Sequence, residues 1–143
     1  YQTPDHVVLH YEMINEARII PLDGRPHAPA ALRQWLGDAR GRWEGETLVV
    51  ETTNFTDKTS FRGTTRDMRL VERFTRVNKD TIDYRFTVED PATFTAPWTA
   101  TLPMTRLDEQ VYEYACHEGN EGMKNILKGA RAQEKAVRSA GSR

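Results

Sequence analysis

The chain is short of cysteine, of long apolar runs and of any excess charge, and each shortage excludes something. Cys116 is the only cysteine among 143 residues, so no internal disulfide can form, and its neighbours make neither a zinc nor a redox motif. No stretch approaches the ~20 apolar residues of a membrane-spanning helix. Twenty basic and 21 acidic side chains give a formal net charge of −1, which leaves no bulk field to draw nucleic acid or anionic lipid. Residues 124–143 alone are locally basic, and a solvated helix face accounts for that. No Gly-x-Ser-x-Gly, phosphate-binding loop or dinucleotide fingerprint occurs, so triad hydrolysis and nucleotide chemistry have no signal here. His-x-His and Cys-x-x-Cys are missing too. His6 and His10 would sit about 13 Å apart on a strand, too far to share an ion. Neither a metal nor a cofactor is expected; His27, His117 and acidic neighbours form the one combination within reach. The sequence opens at Tyr1 without an initiator methionine or a leader, which suggests a processed or truncated product.

What is present is a soluble composition, 38% apolar and 29% charged, in a chain of the size of one domain. That domain is expected to span 1–143, with strands over 1–118 and a helix and tail over 119–143. Runs at 7–13 and 17–22 flank Ile14-Asn15-Glu16. A proline-rich loop follows at 23–31, placed over the surface or an opening. Runs at 40–43 and 47–53 flank Glu44-Gly45-Glu46, and runs at 68–77 and 81–89 flank Asn78-Lys79-Asp80, both read as hairpins. Residues 54–67 read as a long polar loop. Asp90-Pro91 breaks the chain before runs at 98–106 and 111–117. Ile82, Tyr84, Phe86 and Val88 alternate with polar partners, as do Trp98, Ala100, Leu102 and Met104, the period of sheets with one buried face. Beyond Gly122 the period changes, and Met123, Ile126, Leu127 and Ala130 take helical spacing. The expected fold is all-β: an antiparallel up-and-down sheet of about eight strands, closed as a β-barrel around one small ligand, with one C-terminal helix. A sandwich or an open curved sheet is the rival.

The segments GRWEGETLVVETTNF, LVERFTRVNKDTIDYRFTVEDPATFTAPW and YEYACHEGN closely resemble a large group of uncharacterised, exported proteins of soil and environmental bacteria. The resemblance covers nearly the whole chain and brings no biochemical activity with it. It implies a periplasmic or secreted location, and a preceding segment whose cysteine would partner Cys116. A weaker likeness to lipocalin-type barrels rests on strand count, the C-terminal helix and Gly-x-Trp at 41–43, which is not at the N-terminal position lipocalins use.

Three constellations carry potential chemistry. Glu12 and Arg18 face each other if the first hairpin turns about Asn15; they form either a surface ion pair or, with Asp23 and Arg25, a polar cluster at one rim. Glu72 shares an apolar strand face with Met68, Leu70 and Phe74. A hairpin centred on Lys79 places Phe86 opposite it and Tyr84 alongside. A carboxylate there either finds a partner or takes up a proton, and a raised carboxyl suits acid–base work. On the last strand Tyr112, Tyr114, Cys116 and Glu118 would line the inner face, beside His117. Cys116 has nothing local to activate it as a nucleophile. Trp35, Trp43 and Trp98 either plug the ends of the barrel or stack on a ligand. The expected function is an extracytoplasmic barrel binding a small molecule through Tyr84, Phe86, Trp98, Tyr112, Trp43, Arg18 and Glu12. One alternative is a lyase, isomerase or hydrolase using Glu72, Tyr114, His117 and Glu118. The other is a structural or assembly subunit. No nucleic acid or membrane span is expected.

Overall fold

A computed structural model describes residues 1–59, 61–112 and 121–140, without the side chains of 136–140. Among them lie seven strands: β1 (His6–His10), β2 (Ala17–Pro21), β3 (Asp38–Glu44), β4 (Thr47–Thr53), β5 (Arg69–Asn78), β6 (Thr81–Glu89) and β7 (Trp98–Thr105). One helix follows, α1 (Gly122–Ala140). The strands β3 to β7 form one antiparallel up-and-down sheet in sequence order, and β1 and β2 form a separate hairpin.

Turn chemistry explains the meander. Glu44 pairs with Thr47, which leaves a two-residue loop in which Gly45 takes a φ of 60°, the left-handed start that hairpin turns favour and glycine supplies at no steric cost. Asn78 pairs with Thr81, and the Asn78 side chain accepts the Asp80 amide at 2.9 Å, an Asx turn. These registers give the large sheet two unlike faces. One face carries Ala39, Leu48, Val50, Leu70, Phe74, Tyr84, Phe86, Val88, Trp98 and Leu102, with Glu72 among them; the other carries mostly charged residues and threonines.

Two clusters cover the apolar face side by side. At one end the β1–β2 hairpin lays Val7 and Ile20 on Ala39, Leu48 and Val50, with Leu9, Leu22 and Phe74 alongside. At the other, the connection before β5 folds Phe55 and Met68 against Val88, beside Leu70, Phe86, Phe94 and Trp98. The hairpin approaches closely because position 41 has no side chain. A Cβ there would stand 2.7 Å from Leu22 Cδ2 and 2.8 Å from Ile20 Cγ2.

The all-β, antiparallel character is as expected, but the closed barrel of eight strands is not found. Among the described residues the sheet is open, with β3 and β7 at its ends. Val111 and Tyr112 lie outside any strand, and the rest of the expected eighth strand falls outside the described residues. Closure needs a consistent stagger right round the sheet; here the first hairpin instead separates from β3 and packs across the face. No described helix is long and apolar enough to cross a membrane.

Gly41→Val forces the hairpin off the sheet. Urea unfolding is expected to show a loss of about 1–3 kcal/mol; an unchanged midpoint would mean that the close approach at position 41 contributes nothing.

Candidate functional site

Period-two alternation on β5 turns Leu70, Glu72 and Phe74 to one face, with Phe86 opposite Glu72 and Tyr84 opposite Phe74. Glu72 is therefore a carboxylate in the middle of an apolar face, and only 2% of it is exposed. An unpaired charge at such depth costs several kcal/mol, and the partner comes from 54 residues away. Arg18, on β2, forms a two-pronged pair with Glu72: Nη2 donates to Oε2 at 2.6 Å and Nη1 to Oε1 at 3.1 Å. Tyr84 OH donates to Oε1 at 2.9 Å. Arg18 also donates to Thr52 Oγ1 at 3.1 Å and to Tyr11 OH at 3.3 Å.

The pair shifts its neighbours. Burial alone would lower the pKa of Arg18, but the hydrogen bonds and charge of Glu72 outweigh it and hold the guanidinium above its ordinary value. Burial first, and then the Glu72 carboxylate, push the Tyr84 phenol up. Both groups stay protonated across the physiological range.

Above this pair lies an open cleft of about 450 Å³ between the hairpin and β5–β7, lined by Tyr1, Val8, Leu9, His10, Tyr11, Glu72, Phe74, Tyr84, Met104 and Val111. The rings of Phe74 and Tyr84 stack along it at 4.7 Å, 25° apart. Among the described residues apolar groups thus make most of the wall, and the carboxylate of Glu72 is neutralised from β2.

Several expected site residues are elsewhere. The hairpin register pairs Arg18 with Leu9 rather than with Glu12. The Tyr11 amide bonds the Glu16 carbonyl, so the loop is 12–15, with Ile14 and Asn15 both at positive φ. Glu12 is exposed in that loop. Asp23 pairs with Arg25 through a 2.6 Å bond from Nε, and hydrogen bonds from Arg25 hold its carboxyl down at about 2; the rim cluster with Glu12 and Arg18 does not form. Phe86 and Trp98 are packed against Phe61 at 6.1 and 6.0 Å, in the second core cluster. Trp43, 47% exposed, stands at the margin of the sheet on β3 and plugs nothing. Tyr112 is exposed and donates to Gln110 at 3.2 Å, not on the inner face. Tyr114, Cys116, His117 and Glu118 lie outside the described residues. Glu72, Tyr84 and Arg18 do converge.

Sequence reasoning missed Tyr11 and Phe74 as cleft residues and two buried carboxylates. Asp38 accepts the Ala28 amide at 2.9 Å, lies 2.9 Å from His27 Nδ1 and accepts from Arg40 at 2.7 Å; this ties the proline-rich loop to β3. Asp90 accepts from the Thr65 amide at 2.5 Å and from Thr65 Oγ1, the Ala92 amide and Thr93 Oγ1 at 3.1 Å each. Burial would raise both carboxyls; these donors outweigh it and lower them below the ordinary range. Among the described residues, no three histidine, cysteine or acidic side chains converge as metal ligands. Comparison with protein-family models, with curated proteins and with solved structures finds no match.

Removing one member of the buried pair strands the other. Arg18→Met is expected to cost about 3–5 kcal/mol, whereas Arg18→Met with Glu72→Met recovers most of it; urea unfolding of the double-mutant cycle measures the coupling, and additive losses would count against a direct pair.

Acid should also unfold the protein in a predictable window. Depressed carboxyls bind fewer protons in the native state, so their contribution is complete above their unfolded value near 4 and lost as pH falls through the folded one. Asp90→Asn should lower stability at pH 7 by about 1–3 kcal/mol and flatten its decline below about pH 4. A slope equal to that of the unaltered chain would show that Asp90 does not contribute to it.

Proposed function

We propose that this chain is an extracytoplasmic binding module that takes up a small, largely apolar and uncharged molecule. The site is the cleft between the β1–β2 hairpin and β5–β7, rather than the interior of a barrel. The observation that carries the reading is the make-up of the cleft. Its volume of about 450 Å³ falls in the range of small-molecule sites, roughly 300–1,000 Å³, which combine apolar walls with a few placed polar groups. Leu9, Phe74, Tyr84, Met104 and Val111 supply the walls, and the Tyr11 hydroxyl, which accepts from Arg18, keeps its own proton to donate to a ligand oxygen or nitrogen. Arg18 and Glu72 cancel, so the floor offers no net charge to a carboxylate or an amine. The extracytoplasmic location rests on the resemblance to exported proteins.

The acid–base alternative asks Glu72 to give or take a proton. A general base needs a free lone pair within reach of substrate, and both oxygens of Glu72 are engaged by Arg18, one of them also by Tyr84. That arrangement favours binding over catalysis. An assembly role draws support from Ile82, Leu102 and Met104, exposed side by side on the same sheet face.

The test is fluorescence titration with a neutral solvatochromic dye such as Nile red, beside a fluorescent fatty acid. Saturable binding of the neutral dye at one site is expected, at least tenfold tighter than that of the anion. Met104→Trp narrows the mouth and should abolish uptake while leaving stability within about 0.5 kcal/mol. Failure to saturate, or uptake untouched by Met104→Trp, would remove the cleft as the site. Self-association reversed by Met104→Glu would favour the assembly role.

A further inference from the structure

None of the residues that line the cleft belongs to the described part of α1, and the surface of this helix is of a different kind. Residues 122–143 hold six of the 20 basic side chains and one of the 21 acidic ones, leaving 14 basic and 20 acidic in the rest of the chain. The even overall balance thus conceals an acidic β-body and a basic helix. Every described residue of α1 is exposed, including Met123 at 68%, Ile126 at 69% and Leu127 at 48%.

Its charges oppose its own formation. Lys124 and Lys128, and Arg131 and Lys135, are four apart, and Lys128 and Arg131 three apart, spacings at which like charges destabilise a helix. The first turn contains no acidic residue and carries Lys124 against the positive end of the helix dipole; Glu121, just before the helix, offsets this with a 3.1 Å contact to its Nζ. A helix of this length gains little from propensity alone and ordinarily depends on packing of its apolar face, which the described residues do not provide.

The spacing also sorts the side chains. Met123, Ile126, Leu127 and Ala130 make one stripe over the first turns, ended by Glu134 one turn further on; Lys124, Lys128, Arg131 and Lys135 make a band along one flank of it, while Asn125, Gly129 and Ala132 form a small, neutral back. The band is continuous and adjoins the stripe, so long cationic side chains can reach outward to anions while the stripe is buried.

We propose that α1 is a surface-binding helix for anionic lipid bilayers, lying in the headgroup region with Met123, Ile126 and Leu127 inserted and the basic band on lipid phosphates. A bilayer supplies both things the helix lacks, a uniform negative surface and an apolar layer directly beneath it. Nucleic acid offers the charge but leaves the apolar stripe in water. The acidic β-body is repelled by the same surface and stands away from it, with the cleft free.

Vesicle co-sedimentation of the whole chain tests this, with equal parts phosphatidylglycerol and phosphatidylcholine against phosphatidylcholine alone. Binding to the anionic vesicles is expected at low salt. It should fall at least tenfold at ~0.5 M NaCl, where charges are screened within a few ångströms, and equally in K124Q/K128Q/R131Q/K135Q. Ile126→Glu should weaken it with the basic band intact. Circular dichroism and tryptophan fluorescence of each variant show whether the β-body is unchanged. Equal binding to both vesicle types, no binding to either, or full binding by the quadruple variant would overturn the proposal. So would salt-sensitive dimers, formed without lipid and dissolved by Ile126→Glu, which would assign the helix to a second copy.

Discussion

A carboxylate in the middle of an apolar sheet face cannot stand without a cation, and this requirement holds the two parts of the molecule together. Glu72 is placed there by strand alternation alone. Arg18 answers it from a hairpin that has no backbone pairing to the large sheet. Thr52, Tyr11 and Tyr84 complete the arrangement from β4, the residue that follows β1, and β6. Replacement of such a pair by apolar side chains is often neutral or better for stability, so what the pair contributes is placement. The apolar contacts of Val7, Leu9 and Ile20 on Leu48 and Val50 carry no direction of their own, whereas a two-pronged bond to a single carboxylate admits one position.

Much of the large sheet was legible because its signals are local. The glycine of Glu44-Gly45-Glu46, the asparagine of Asn78-Lys79-Asp80 and strict alternation from Ile82 to Val88 locate the turns, and the centre at Lys79 correctly puts Phe86 opposite Glu72. The first hairpin was misread for an equally local reason. Ile14, a β-branched residue that rarely takes positive φ, does so beside Asn15, and the turn lies earlier than Asn15 alone suggests. An error of that size moves Arg18 from Glu12 to Leu9. Period-two arguments are unforgiving in this way, since a small shift of register changes every pair along the strands. The need of Glu72 for a partner could be read from its face; the identity of the partner could not, because contacts between separate sheets leave no periodic trace. The same holds for Asp90, which reads as a chain breaker before Pro91 and acts as a hub accepting four hydrogen bonds.

The opposite face of the sheet follows another logic. Arg69 bridges Glu51 and Glu89, and Arg73 reaches Glu44, with bonds of 2.7–2.8 Å. Threonine hydroxyls pair across strands at 2.8 Å in Thr47–Thr75 and Thr87–Thr99. Each exposed ion pair contributes little to stability. Together they make a face with no apolar stripe on which a second sheet could stack, which channels packing to the other side. His27 and the proline-rich loop cap one end of this face through Asp38.

The separation of the core into two clusters has a kinetic meaning. The hairpin's cluster and the one around Phe55, Met68 and Val88 share the sheet but draw their covering residues from different segments. A sheet covered in two pieces opens in two pieces, each a cooperative unit with its own free energy. Departure of the hairpin removes one wall of the cleft and breaks the Arg18–Glu72 pair in the same motion. Opening of β1–β2 must therefore break a buried, two-pronged ion pair as well as the apolar contacts of its own cluster, while the cluster around Val88 can stay closed.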